Sequence, residues 1–200
     1  MSVSNALKQG VFVVAAKRTP FGAFGGSLKA FSPTDLQTLA ASAALKAGNI
    51  NPEIIDTVQV GNVLSGAGPD TPYIARHVSL KTGCRIGIPA LTLNRLCGSG
   101  FQSIVSGVQD ILVGDAGVVM TGGSDNMSAC PYAVRDIRFG TRLGADPKLE
   151  DMMWASLTDL YTKTPMGVTA ENLAEKYGLT RDEVDDFAIR YNATFKSTSF

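Results

Sequence analysis

Cysteine and histidine are scarce in this chain, and their scarcity removes whole classes of chemistry. Cys84, Cys97 and Cys130 are the only three cysteines in 200 residues, and they form neither a CxxC pair nor an even disulfide framework. The single histidine, His77, stands at no zinc-ligand spacing from them, so no metal site is expected. Unpaired thiols fit a reducing compartment. Net charge is missing too, because 18 basic and 18 acidic residues cancel and no block of like charge stands out. That balance argues against a phosphate-backbone groove or an anionic membrane surface, and nucleic acid is not an expected partner. No apolar run approaches the roughly 20 residues of a membrane-spanning helix, and the N-terminus has no secretory apolar region. A soluble intracellular protein is the expectation. Acidic residues are also absent between Met1 and Thr34, where the only charges are Lys8, Lys17, Arg18 and Lys29. This bias suits a mitochondrial import signal, uncleaved because Val11 to Ala16 already reads as a strand. A short tail leading into ordinary fold is the alternative.

What is present is a sequence of alternating strands and helices, in a chain whose 44% hydrophobic content suffices for one substantial core. GVFVVAA reads as a buried parallel strand that ends in the turn-rich KRTPFGAFGG. Ser32, Pro33 and Asp35 supply a cap, a first-turn proline and an early acid, and predict a helix to about Lys46, stopped by Gly48. TVQVGNVL is a second strand, Tyr73 to Thr82 a second helix, and IPALTLN a third strand. Phe101, Ile104, Val105, Val108, Ile111 and Leu112 then fall at helical spacing on one face, and AGVVMTGG is a fourth strand. From Ser128 the texture turns to Pro, Tyr, Arg, Gly and Asp, an excursion from the sheet. Two helices close the chain, one after Gly167 and one opened by the capping box Thr180 to Glu183. The expected fold class is α/β, a mostly parallel sheet covered by helices on both faces, with the excursion after the fourth strand. The expected division is a tail (1–10), an αβ core (11–127) and an excursion (128–200) that stops in mid-architecture.

Cys97 sits between a predicted strand and a predicted helix, where free backbone N–H groups and the positive end of the helix dipole favour a thiolate. Gly98 and Gly100 leave room for a substrate to approach, and a backbone N–H here suits a developing oxyanion. Position alone does not separate this from a small buried hydrophobe. Phosphate binding is a further rival, since GSGFQS approaches GxGxxG, but Ser103 stands where the third glycine belongs.

The stretch LTLNRLCGSGFQSI resembles the active-site signature of the thiolase family. VVAAKRTPFGAFGG, GNVL, ARHVSL, TGGSDNMS, RFGTRLG and PMGVTAENLA match the same family in order, from about Val11 to about Phe195. The NRLCGSG and TAEN segments fit thiolases better than ketoacyl synthases of the same superfamily. The ARH and PYAVRDIRFG stretches point to mitochondrial degradative members that act in fatty-acid β-oxidation, and so to the mitochondrial matrix, with the cytoplasm as alternative.

The resemblance implies the N-terminal half of the thiolase fold, with residues 128–200 as the start of the loop domain. It implies that Cys97 attacks the 3-keto carbonyl of a 3-ketoacyl-CoA, releases acetyl-CoA and holds the shortened acyl group until free coenzyme A takes it. Coenzyme A is thus a co-substrate rather than a bound cofactor. Met166 is similar to a residue lining the acyl pocket; a gap-filling core methionine is the plain alternative. Thiolases also use a histidine in a GHP context, a cysteine in a CxGGG context and an asparagine in NEAF, from a second half. None of these motifs occurs in this sequence, and neither Cys84, Cys130 nor His77 replaces them. The C-terminal thiolase domain is therefore expected to be absent, and turnover by these residues alone to be negligible, since a missing base and acid each cost about 10² to 10⁴ in rate. A homo-oligomer, or association with a full-length thiolase subunit, is the expected assembly; a non-enzymatic truncated product that binds such subunits, or a biosynthetic acetoacetyl-CoA thiolase, is the alternative reading. Asp125 stands where the family usually has glutamate.

Overall fold

The computed structural model describes residues 10–198, so Lys8 and nearly all of the expected tail lie outside the described residues. The chain forms two compact units that divide between Ala133 and Val134.

In the first unit three parallel strands make one sheet in the order β2-β1-β3: β1 (Thr57–Gly61), β2 (Ala90–Leu93) and β3 (Val119–Gly123). Val58 pairs with Ala90 on one side and Met120 on the other, so β1 is central and fully buried. Helices α1 (Pro33–Ala47) and α2 (Ile74–Lys81) pack on one face and α3 (Ser99–Val113) on the other. This is the expected α/β class, a parallel sheet flanked by helices.

The start of α1 is built as its residues dictate. The Ser32 hydroxyl accepts the Asp35 N–H at 3.0 Å, Pro33 fills the first turn, and Lys81 on α2 reaches Asp35 at 2.8 Å. Gly48 ends the helix in a right-handed conformation, and the left-handed residue is the next one, Asn49 at φ 51°.

The two faces of β1 differ in chemistry. Val58 and Val60 join Ile55, Ile74, Ala75, Val78 and Ile88 in the apolar core beneath α1 and α2. Gln59 is equally buried but faces α3, where its amide donates to Asp110. A strand covered on both sides thus alternates in polarity. The reason is the surface α3 offers: its buried residues are Ser99, Ser103 and Gly107. Phe101, Ile104 and Val105 do share one side, as their spacing predicts, but that side is exposed.

One predicted element is absent. Val11 to Ala16 is not a strand, and Phe12 and Val13 are each 81% exposed. Apolar β-branched residues make extended backbone favourable, but a strand also needs a ladder partner. Among the described residues none pairs with this run. The strand before the excursion is consequently the third, not the fourth.

The second unit begins at Val134, the last residue of β4 (Tyr132–Val134), and contains β5 (Leu149–Asp151) and α4 (Met152–Ser156). Strands β6 (Thr158–Asp159) and β7 (Thr164–Pro165) pair antiparallel and lead into α5 (Met166–Tyr177). Gly178, at φ 65°, ends α5, as a left-handed C-cap requires. Helix α6 (Arg181–Thr198) opens with the predicted capping box: Thr180 N–H donates to Glu183 at 2.8 Å, and Glu183 N–H to the Thr180 hydroxyl at 3.3 Å. Among the described residues no helix is long and apolar enough to cross a membrane.

Candidate active site

Cys97 lies at the carboxyl end of β2, just before Gly98, the residue from which α3 starts, and its side chain is exposed. The chain turns sharply here. Leu96 has φ 50°, in the left-handed region that branched side chains seldom occupy. The Asn94 side-chain oxygen accepts the Leu96 N–H at 2.9 Å. Below it the buried Ser99 hydroxyl accepts the Arg95 N–H at 2.8 Å and donates to the Leu96 carbonyl at 2.6 Å. The Gly98 and Ser99 N–H groups close the turn onto the Arg95 and Leu96 carbonyls at 3.1 and 2.9 Å. Arg95 lies over the Phe101 ring at 5.5 Å and binds Gln102, covering one side of the turn.

Glycines let α3 sit this low on the sheet. A Cβ on Gly61 would come within 2.5 Å of the Ser99 backbone, and one on Gly123 within 2.8 Å of the Gly100 Cα. At Gly107 a Cβ would meet Thr121 and Val119 at 2.8 and 2.9 Å. The Ser103 hydroxyl, fully buried, lies 2.7 Å from the Gly100 carbonyl and 2.9 Å from that of Gly122, joining helix to strand. The position of Cys97 is therefore fixed from both sides, by its turn and by the seating of its helix.

Past β3, the segment TGGSDNMS holds two loops at the same end of the sheet. The Asp125 carboxylate accepts the Val63 and Leu64 N–H groups at 3.1 and 2.8 Å and the Asn62 amide at 3.0 Å. Protein packed around this carboxyl group pushes its pKa up, although the residue as a whole is exposed; the Leu64 and Val63 N–H groups pull the other way. The Asn126 amide donates to the Phe31 carbonyl at 2.7 Å, and the Ser128 hydroxyl accepts the Gly25 N–H at 2.9 Å. Asn62, Asn94, Ser99, Asn126 and Ser128 were not among the predicted site residues. Their signal was available in part, since side chains of this kind beside a glycine-rich strand end commonly hold loops.

The remaining sequence candidates are dispersed. Met166, half exposed, opens α5 in the second unit, and its N–H donates to the Leu157 carbonyl at 2.9 Å. Cys97 lies in the first unit, so the two named site residues belong to separate bodies. His77 lies 2.9 Å from the Asp70 carboxylate and edge-on to Tyr73 at 4.9 Å, in a structural setting. Burial raises the Asp70 pKa, but the hydrogen bond with His77, together with other polar groups around the carboxylate, outweighs it and the net shift is downward. Cys84 is buried in the apolar core and Cys130 is partly buried. Among the described residues no group of three or more His, Cys, Asp and Glu side chains is placed to hold a metal ion.

An exposed cysteine on a left-handed turn, between a parallel strand and a glycine-seated helix, defines an α/β protein that presents a thiol near the carboxyl ends of its strands. Residues 11–198 match the model for the thiolase N-terminal domain, and the chain belongs to the thiolase family. It is 57% identical over 194 residues to the mitochondrial 3-ketoacyl-CoA thiolase of Mus musculus, which covers 97% of this chain and 49% of that protein. A probable acetyl-CoA acyltransferase of Staphylococcus aureus is 41% identical over 179 residues, covering 90% of this chain and 45% of that protein. The crystal structure of human mitochondrial 3-ketoacyl-CoA thiolase in complex with CoA superposes with a TM-score of 0.89 at 56% identity, over 93% of this chain and 47% of that one. The chain thus spans about half the length of the curated relatives it matches.

Proposed function

We propose that these residues carry the nucleophile of a thiolase-type acyltransferase that cleaves 3-ketoacyl-CoA in mitochondrial fatty-acid β-oxidation. The observation that carries the reading is the exposed Cys97 on its strained turn at the start of α3. The Cys97 sulfur forms a bond to C3 of the 3-ketoacyl-CoA, the C2–C3 bond breaks, and its electron pair leaves with acetyl-CoA and takes up a proton. The acyl group stays on sulfur until the thiol of coenzyme A attacks that thioester and regenerates Cys97. Met166 is proposed to line the acyl chain's path, and coenzyme A to act as co-substrate. The relatives' names support the substrate class and a mitochondrial location, and the solved human structure with CoA supports the co-substrate.

In this reading residues 11–127 form the thiolase core and 128–200 the start of its loop domain. Base and acid come from GHP and CxGGG motifs that these 200 residues do not contain. A polypeptide of these residues alone is therefore expected to acylate slowly, because base and acid both serve the C2–C3 cleavage, and not to turn over efficiently. The exposed apolar side of α3, with Phe101, Ile104 and Val105, suits association with another thiolase subunit or a second copy.

Incubation of the purified chain with acetoacetyl-CoA, read by intact mass and peptide mapping, tests the reading. One acetyl group on Cys97, lost in Cys97→Ser, is the expected result. Absence of the adduct, or its appearance on Cys84 or Cys130, overturns it.

A further inference from the structure

Leu96 adopts a left-handed backbone although its side chain is 68% exposed, so no apolar packing enforces that conformation. A branched residue leaves this region readily unless something else holds it. Two side chains do. Asn94 takes the Leu96 N–H, and Ser99 takes the Arg95 N–H while returning its own proton to the Leu96 carbonyl. The Ser99 hydroxyl spends its one proton and accepts one N–H, and it is buried beneath the Gly61 contact, where water does not replace it. Asn94 also reaches the Val63 carbonyl at 3.4 Å, in the loop that Asp125 clamps. The strained peptide is the one that leads into Cys97, so releasing it swings the sulfur away from the strand ends.

We infer that Asn94 and Ser99 are positioning residues that hold Leu96 left-handed and thereby keep Cys97 in its reactive placement. The inference rests on Cys97 being the nucleophile. It assigns a positioning role to two polar residues that act through the Leu96 backbone.

The test uses the full chain and two readouts at Cys97: the rate of alkylation by iodoacetamide, followed by peptide mapping, and acetyl uptake from acetoacetyl-CoA. In alkylation the sulfur–carbon bond forms as the carbon–iodine bond breaks and iodide leaves, so this readout needs no acyl-CoA site. Asn94→Ala and Ser99→Ala should each slow alkylation about fivefold to tenfold, in line with the cost of a misplaced reacting group. Asn94→Asp keeps the acceptor for the Leu96 N–H but gives up the amide donor to Val63 and adds a charge, so it should recover only part of the rate lost in Asn94→Ala. Leu96→Gly added to Asn94→Ala should restore most of the lost rate, because glycine holds a left-handed backbone without help. A residue that only stabilised the fold would lower the melting temperature without this rescue.

Parental alkylation rates in folded Asn94→Ala and Ser99→Ala overturn the inference, and so does failure of Leu96→Gly to rescue. Should Ser99→Ala not fold, the Asn94 pair decides alone. If the alkylation rates follow this order while no variant or parent takes up acetyl, the positioning role stands and the thiolase reading fails.

Discussion

The two ends of the β1–β3 pair are joined by the same device in different surroundings. At the amino end Asp56, just before β1, accepts the Gly117 and Val118 N–H groups just before β3, at 2.9 and 3.0 Å. At the carboxyl end Asp125, just after β3, accepts the Val63 and Leu64 N–H groups just after β1. Asp56 has Arg85 at 3.2 Å, whereas the side chain given to Asp125 is the neutral amide of Asn62. Gly117 is open to water, whereas Leu64 is buried. The Gly117 and Val118 N–H groups, with Arg85, hold the Asp56 pKa below its ordinary value, while packing around Asp125 pushes its pKa up. One clamp is electrostatically comfortable and the other is not. The Asp125 clamp lies at the end that carries Cys97, the proposed nucleophile.

The largest contrast should come from glycine. Gly61→Ala at the carboxyl end places a Cβ 2.5 Å from the Ser99 backbone, and backbone cannot yield as a side-chain tip does. A loss of about 2–3 kcal/mol is expected from such overpacking. Gly117→Ala at the amino end meets the Asp56 carboxylate at an ordinary 3.4 Å and should change stability by less than about 0.5 kcal/mol. Urea melts of the two variants measure the difference. Equal losses would mean that α3 is not seated by close backbone approach.

What was legible in advance follows the range over which each interaction acts. Helix α1 was readable because Ser32, Pro33 and Asp35 cap it within one turn, and Thr180 with Glu183 marked α6 in the same way. Cys97 was marked as a candidate because a strand pattern and a helix pattern meet around it, and the resemblance of LTLNRLCGSGFQSI to the thiolase signature decided between it and a buried hydrophobe. The Val11 to Ala16 run was misread because a strand depends on a partner that its own residues do not specify. The polar face of β1 was missed because Gln59 finds Asp110 51 residues away. Asp125 was noticed only as a shorter acid, since the groups it holds are up to 63 residues distant. Leu96 carries no sign of its backbone at all; a glycine there would have marked the turn.

The second contrast is removal of the two carboxylates. Asp125→Ala leaves the buried Leu64 N–H without its acceptor and frees the loop that Asn94 also touches, at a cost of about 1–2 kcal/mol. Asp56→Ala should cost less, because water reaches the Gly117 N–H and takes the place of the lost oxygen. Only Asp125→Ala should also slow acylation of Cys97. Denaturant midpoints and the acetyl-adduct assay separate the two, and a larger stability loss at Asp56 would reverse the comparison.

The smallest effect lies in the acid limb. A carboxyl whose folded pKa is lowered, like Asp56, binds protons more readily in the unfolded chain. Its contribution is present above the ordinary carboxylate value near 3.9 and is lost as pH falls through the lower folded value. Asp125 has the opposite sign: with its folded pKa raised, the native state takes up the proton first. Acidification from neutral pH through that raised value therefore favours folding at this one group. The stability difference between parent and Asp56→Asn should shrink as pH falls below about 4. The difference between parent and Asp125→Asn should instead move in the parent's favour as pH falls from 6 toward about 4. Urea midpoints measured between about pH 3 and 6 compare the two slopes. Slopes of the same sign would show that the two ends of the sheet are held alike.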